Sequence, residues 1–405
     1  MSAIFGVFHF APQEVRHGVE KRMLDHMQRR GVECQRTWRD GIASLGASCY
    51  QWERDLGVGA GAVIARRGHL AVVADATLYY RDDLRRRLGT SENEPNADSP
   101  SHLILAAFEK WGERCVEFLE GDYACIVWDA SARTVFMTRD YSGQRPLFYS
   151  QRGATLVVAS TLGGVVAHPS VRSDLNLASI AIDASALIYS AGSETCYSDV
   201  SVVPAGIAVT VTAARARVSR WWDPAVRTSG ATPLAEAAEE LRSVLGEAVL
   251  QRTGENGVAS VWLSGGRDST AVFAAGQHAI RSKRLAASLR PVSLRLDAAD
   301  PLNEDRFIEA VAGHWQSPVR WVDVAELGPL VQVAGSGDRD EPYGHLYENL
   351  MRLLSGRSLT SGARVALSGN GGDFLFEVSP VIIADYLASL RMLSVLREWS
   401  AVRTR

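Results

Sequence analysis

Val261-Trp262-Leu263-Ser264-Gly265-Gly266-Arg267-Asp268-Ser269 is the stretch on which the fold turns. The apolar run Val258–Leu263 predicts a strand, Ser264-Gly265-Gly266 ends it, and helix-compatible sequence begins near Asp268. Strand, glycine loop and helix N-terminus in that order make an anion cradle. Gly265 and Gly266 carry no side chain to block backbone N–H groups, and the helix dipole adds favourable charge. Ser264 and Ser269 supply hydroxyl donors, and Asp268 is placed to hold Mg2+ against phosphates. The order is not that of a Walker A loop, which needs G-x-x-x-x-G-K-[ST], and no lysine is near. A plain serine-glycine turn is the alternative; five fixed positions in this strand–loop–helix context argue against it.

Outward from this stretch the pattern alternates. Helix Leu234–Gln251, strand Val258–Leu263, helix Asp268–Ser282, strand Val292–Leu296 and helix Glu304–Trp315 follow one another. In the last helix Phe307, Ile308, Val311, Ala312 and Trp315 share a face. A further helix, Tyr347–Leu354, precedes the apolar Val365–Leu367, which runs into a second glycine loop, Ser368-Gly369-Asn370-Gly371-Gly372-Asp373. Such alternation predicts a doubly wound parallel sheet with ligands at the carboxyl ends of its strands. Asp373 would then meet the same Mg2+ as Asp268.

Residues 1–220 read differently. Short strands are expected at Ile4–Phe8, Leu70–Ala74, Ala124–Trp128, Val135–Thr138, Leu147–Tyr149, Leu156–Ala159 and Ile207–Val211, with helices at Val15–Arg29 and His102–Trp111. Residues 89–101 form a polar loop, and Pro224, Gly230 and Pro233 mark a linker. The expected division is 1–220, a linker at 221–233, and 234–405. Gly57-Val58-Gly59-Ala60-Gly61-Ala62 matches a dinucleotide fingerprint, but no helix follows it, and a glycine-rich strand is the better reading.

Composition narrows the classes. At 405 residues and 46% hydrophobic content the chain can fill two or three cores. A net charge of −3 gives no general nucleic-acid-binding character. Lysine occurs only at Lys21, Lys110 and Lys283. The cysteines, Cys34, Cys49, Cys115, Cys125 and Cys196, are odd in number and widely spaced, so free buried thiols are expected rather than zinc or disulfides. His9, His17 and His26 are too scattered to form a ligand set. The N-terminus lacks the basic region and cleavage site of a signal peptide, and no run is long enough to span a bilayer. A cytoplasmic protein is expected.

The S-G-G-x-D-S loop resembles that of the ATP pyrophosphatases, which split ATP into AMP and pyrophosphate. With the second loop it resembles the synthetase domain of the asparagine synthetase B family, and the resemblance continues through the whole chain. Met1–Phe8 is similar to the family's M-C-x-I-x-G-x-F start, and Leu119–Ala124 to its L-x-G-x-F-A. Thr138-Arg139-Asp140 through Tyr149 is similar to its R-D-x-x-G-x-x-P-L-Y-Y, Ala159-Ser160 to its A-S-E, and Val203–Gly206 to its P-A-G. The fold implied is a class II glutamine-amidotransferase-like α+β sandwich of the Ntn type, followed by an ATP-pyrophosphatase (PP-loop) doubly wound parallel α/β domain. The family pattern also implies that backbone at Leu263, Ser368 and Gly369 seats the nucleotide. Asp268 and Asp373 would hold Mg2+, and Ser264, Gly265, Gly266 and Ser269 would cradle pyrophosphate.

Departures from the family pattern sharpen the expectation. Its N-terminal nucleophilic cysteine is Ser2 here, its Asn-Gly-Glu segment falls at Asp75-Ala76-Thr77, and its substrate-gripping aspartate at Pro100. Its R-G-P-D loop becomes Arg30-Gly31-Val32-Glu33. Nucleophile, oxyanion donor and clamp are all altered, so a catalytically inactive first domain is expected. Relatives with this profile join a carboxylate to an amine of the same molecule. Asn370 stands where β-lactam synthetases place a tyrosine and asparagine synthetases a glutamate, and Phe374 also replaces a usual glutamate. Asn370 cannot act as a base and suits the turn.

This resembles most the cyclases of lasso peptides. That implies an ATP- and Mg2+-dependent macrolactam synthetase acting on a precursor peptide, alongside a leader peptidase and a leader-recognition protein. A β-lactam or ammonia-dependent small-molecule ligase, and a non-catalytic nucleotide-binding scaffold, are the alternatives. Glu304 and Glu341 fall where relatives line the cleft. The family pattern continues well past the second loop to a pyrophosphate-binding lysine, and no lysine follows Lys283 here; either the sequence is a truncated form, or another group, with Arg364 and Arg391 as candidates, takes that place.

Overall fold

The structure, a computed structural model, describes residues 2–12, 14–55, 64–89, 99–185, 192–224, 233–253, 257–327, 348–376 and 382–396. Two compact units are present, Met1–Ala238 with Pro329–Asn349, and Glu239–Gly328 with Leu350–Arg405.

The first unit is built on two antiparallel sheets. Its strands are β1 (Ala3–His9), β2 (Cys34–Asp40), β3 (Ala43–Cys49), β4 (Ile64–Arg67), β5 (Leu70–Leu78) and β6 (Gly121–Asp129). They continue with β7 (Thr134–Arg139), β8 (Phe148–Arg152), β9 (Thr155–Ala159), β10 (Ser201–Val202), β11 (Ile207–Val211) and β12 (Ala216–Arg220). One sheet runs β10-β8-β9-β1-β3-β2 and the other β12-β11-β7-β6-β5-β4. Alternation along the strands sends Ile4, Phe8, Leu45, Val73, Ile126, Trp128, Met137 and Val158 into the core between the sheets.

Residues of opposite parity face helices. The helices of this unit are α1 (Val19–Asp25), α2 (Gln51–Asp55), α3 (Arg81–Leu88), α4 (Pro100–Trp111), α5 (Leu162–Val166) and α6 (Leu177–Ser185). Phe5, Val7 and Val157 pack under α1 and α5, and Val72, Ala74 and Val127 under α3 and α4. The result is the expected α+β sandwich, its two sheets packed together with helices on their outer faces.

Three local expectations are corrected. The helix expected over Val15–Arg29 is confined to α1, because Gly18 takes a left-handed φ of 85° and Val15 N–H donates to Gly41 O instead. The β2–β3 hairpin had no apolar signature, since β2 is a polar strand and β3 is rich in small residues. Gly46 in β3 is needed there because a Cβ would enter the Phe5 ring. In the second unit, Phe307 is 46% exposed although Ile308 and Ala312 on the same helix are buried. The Arg306 guanidinium covers its ring at 4.5 Å. The dinucleotide-like Gly57–Ala62 segment lies outside the described residues.

The second unit holds a parallel sheet in the order β15-β14-β13-β16, with β13 (Val258–Trp262), β14 (Ser288–Arg295), β15 (Arg320–Asp323) and β16 (Val365–Ser368). The accompanying helices are α7 (Leu234–Thr253), α8 (Arg267–Arg281), α9 (Asp305–Trp315), α10 (Glu348–Thr360), α11 (Gly372–Phe376) and α12 (Ile382–Ala388). Val249, Phe273 and Ile308 from α7, α8 and α9 cover one face, while Leu350, Leu353 and Leu354 from α10 pack with Val292 and Val322. This is the doubly wound arrangement. The strand β14 starts four residues earlier than Val292 and includes Pro291. Pairing with β15 begins only at Val292, so the missing N–H of Pro291 falls where β14 has a neighbour on one side.

Candidate active site

Strand order decides where the site lies. From β13 the chain winds outward to β14 and β15, then returns on the opposite side as β16. The switch point is therefore between β13 and β16, where crevices outside the carboxyl ends of strands take ligands. Trp262 and Ser368, the last residues of these strands, are register partners, so the two glycine loops emerge side by side.

The loops interlock. Gly265 has a φ of +85°, and a Cβ there would lie 2.9 Å from Glu304 Cβ. A Cβ on Gly369 would lie 2.5 Å from Ser269 N, and one on Gly372 would collide with the Asp268 carboxylate. Glycine at these positions lets the second loop close onto the first turn of α8. Ser264 Oγ and Ser269 Oγ are 2.9 Å apart, Ser269 Oγ accepts from Ser264 N–H at 3.1 Å, and Gly266 N–H donates to Ser264 Oγ at 3.3 Å. The hydroxyls thus shape the loop. Gly266 caps α8 without a side-chain hydrogen bond, so the first-turn N–H groups are available to an anion.

These elements enclose a pocket of about 530 Å³. Of the residues expected from sequence, it collects Ser264, Gly266, Asp268, Ser269, Ser368, Gly369 and Asp373, together with Asn370. Gly265 sits behind the loop, against Glu304 and Ile308. Leu263 lines an adjoining apolar cavity of about 320 Å³, with Val292, Leu294, Leu302 and Ile308; Trp262 and Ser264 border both spaces. Glu304 lines this second cavity. Glu341 lies outside the described residues, as does the side chain of Phe374.

Sequence reasoning missed Arg267, Trp262 and the α10 leucines. Arg267 lines the loop pocket, and Leu350 and Leu354 line the apolar one. Arg364 and Arg391 line neither. The x of S-G-G-x-D-S was itself the available signal for Arg267.

Asp268 and Asp373 share the pocket, while no cluster of three or more metal-ligating side chains occurs among the described residues. Two carboxylates fit Mg2+, which takes its remaining oxygens from phosphates and water, better than a cation needing a full protein cage. A polyanion over α8 with a flat ring in the apolar cavity matches the two spaces chemically.

The first unit treats its corresponding residues in the opposite way. Ser2 is buried just before β1, and its hydroxyl donates to Glu53 Oε2 at 2.7 Å. Glu53 Oε2 also accepts from Tyr50 N–H at 3.2 Å. Asp75, 3% exposed, lies 3.7 Å from both Arg30 Nη1 and Arg145 Nη1. Arg145 Nη2 donates to Thr77 Oγ1 at 3.1 Å. Burial would lower the pKa of Arg145, but Asp75, Asp122 and Glu53 outweigh it and hold the guanidinium above its usual value. The Asp75 carboxylate is acceptor-only, so it cannot donate to a developing oxyanion. Pro100 is the first residue of α4 and is buried.

A sandwich of this kind ahead of a parallel sheet with paired glycine loops defines a glutamine-amidotransferase-type domain coupled to a synthetase-type domain. A glutamine amidotransferase domain family matches residues 1–222, and the asparagine synthase family matches residues 240–400. The chain belongs to the asparagine synthetase family.

An asparagine synthetase (glutamine-hydrolyzing) 3 of Bacillus subtilis is 24% identical over 260 residues, 62% of this chain and 40% of that protein. A carboxyethyl-arginine β-lactam-synthase of Streptomyces clavuligerus is 27% identical over 305 residues, 73% of this chain and 53% of that protein. The matches thus span about half or less of these relatives' length. A solved glutamine phosphoribosylpyrophosphate amidotransferase from B. subtilis overlaps 93% of this chain and 94% of its own, at 12% identity and a TM-score of 0.39, too loose a likeness to carry weight. No described helix is long and apolar enough to cross a membrane.

Proposed function

We propose that the protein is an ATP-dependent amide-bond-forming ligase that closes a macrolactam. An Asp or Glu side-chain carboxylate of a precursor peptide would be activated, and the peptide's N-terminal amine would close the ring. The observation that carries this reading is the contrast between the open two-loop pocket and the buried Arg30–Asp75–Arg145 cluster. A first unit that makes no ammonia leaves the amine to the substrate itself.

In the reaction, a carboxylate oxygen bonds to the α-phosphorus of ATP as the bond to pyrophosphate breaks. The amine nitrogen then attacks the acyl carbon, AMP leaves, and the amine loses a proton. Mg2+, when bound, neutralises charge on the departing pyrophosphate. Asp268 and Asp373 would hold that cation. The first-turn N–H groups of α8 and the Arg267 guanidinium would receive the phosphates. Leu263, Val292 and Leu294 would seat the base, with backbone at Leu263, Ser368 and Gly369 fixing the nucleotide. Asn370 at the pocket wall has no basic lone pair to take the amine proton. The site therefore contributes chiefly by holding both groups together.

The similarity to a β-lactam-synthase supports a second reading, ring closure on a small molecule. Mass spectrometry separates the two. A candidate core peptide, with any leader-removing partner, is incubated with the protein, Mg2+ and ATP. Loss of one water, mapped between the N-terminal amine and an internal Asp or Glu, supports the peptide reading. AMP release with a small β-amino acid and none with peptide would replace it.

A further inference from the structure

The first unit contains a further polar cavity, lined by none of the residues given a role in the proposed reaction. It encloses about 210 Å³ and is lined by His9, Arg16, Thr155, His168 and Ser170, with Val19 and Pro169. No carboxylate is among these residues. Glu20, the buried acid of α1, is committed to Arg39 and Ser44. The volume is below the roughly 300–1,000 Å³ of drug-sized ligand sites.

His9 and His168 are 4% and 7% exposed, yet both reach the cavity wall. His9 Nδ1 is 3.0 Å from Thr155 Oγ1, and His168 Nδ1 is 2.7 Å from Ser170 Oγ. The Ser170 backbone N–H also donates to His168 Nδ1 at 3.2 Å. A nitrogen accepting a backbone N–H carries no proton, so the neutral His168 ring has its proton on Nε2. That ring offers a donor to a ligand. A metal at Nε2 would require the proton on Nδ1, facing another N–H. The arrangement therefore favours an anion over a cation.

We propose that this cavity binds a small tetrahedral oxyanion of the phosphate type, through His168 Nε2–H, the Thr155 hydroxyl and the Arg16 guanidinium. The electrostatic setting agrees. Burial first, then His9, Arg16 and Arg22, holds His168 down to about 4, and burial and Arg16 lower His9. Arg16 lines the cavity, and no carboxylate among the lining residues opposes an anion.

Titration calorimetry of the full chain with inorganic phosphate, in a phosphate-free buffer near neutral pH, tests the site. Saturable binding is expected, with shifts of the His9 and His168 imidazole signals in NMR. Arg16 is exposed, so Arg16→Glu should leave the fold intact and weaken binding about tenfold, one charge-assisted contact. Glycerol 3-phosphate run in parallel distinguishes a phosphate ester from the free ion as the source. The proposal is overturned by absence of binding at about 10 mM phosphate, or by equal affinity in Arg16→Glu. It is also overturned if Zn2+ alone perturbs both imidazoles while phosphate perturbs neither.

Discussion

Ser2 and Ser264 stand at comparable points of their units, each beside the end of a strand where chemistry is expected, and the fold has treated them oppositely. Ser2 is buried and its hydroxyl is spent on Glu53; around it Asp75 is flanked by two guanidiniums. Ser264 is exposed, and the groups around it (Asp268, Asp373, Arg267) line a shared pocket. Charges that face one another inside a protein stabilise only their own arrangement. Charges that face a pocket keep their affinity for something else. Retention of a sequence motif does not distinguish these states; the partners of each polar group do.

Four substitutions probe that contrast. The largest effect is expected at Asp268→Ala, which should lower ATP-dependent AMP release about a thousandfold with little change in melting temperature. A rate within a few-fold of the parent would remove the loop pocket from the chemistry. Arg145→Met should cost about 3 kcal/mol of stability by leaving Asp75 buried with half its compensation. Denaturant unfolding would read this, and an unchanged midpoint would mean the cluster is not holding the first unit together.

Gly372→Ala places a methyl against the Asp268 carboxylate and should reduce AMP release about a hundredfold. Normal turnover would show that the loops need not interlock. Smallest is Ser2→Ala, which deletes one hydrogen bond, about 1 kcal/mol, and leaves AMP release unchanged. Any glutaminase activity present in the parent and lost in Ser2→Ala would break the comparison outright.

Much of the second unit was legible because its signals are local. A strand, a glycine turn and a helix start occupy consecutive residues, so Ser264 to Ser269 announce their geometry directly. The apolar cavity was not legible, since Leu350 and Leu354 are ordinary core-type leucines until α10 brings them to β14. The first unit hides more. Nothing near Ser2 in sequence indicates Glu53, and Asp75 meets Arg30 and Arg145 only through the sheets. His9, too scattered from His17 and His26 to suggest a ligand set, is set opposite Thr155 by the pairing of β1 with β9, and His168, beyond α5, lines the same cavity. Another non-local pairing, β1 with β3, explains why the β2–β3 hairpin was missed: Gly46 makes sense only against the Phe5 ring.

The register between Trp262 and Ser368 has a consequence for protein engineers. The first glycine loop is shaped by its own serines and also from outside itself, by a neighbouring strand that delivers Gly369 and Gly372 to its flank. Grafting residues 261–269 alone into another parallel sheet would therefore transplant a sequence without its mould. The smallest transferable part is the strand pair with both of its loops, kept in step.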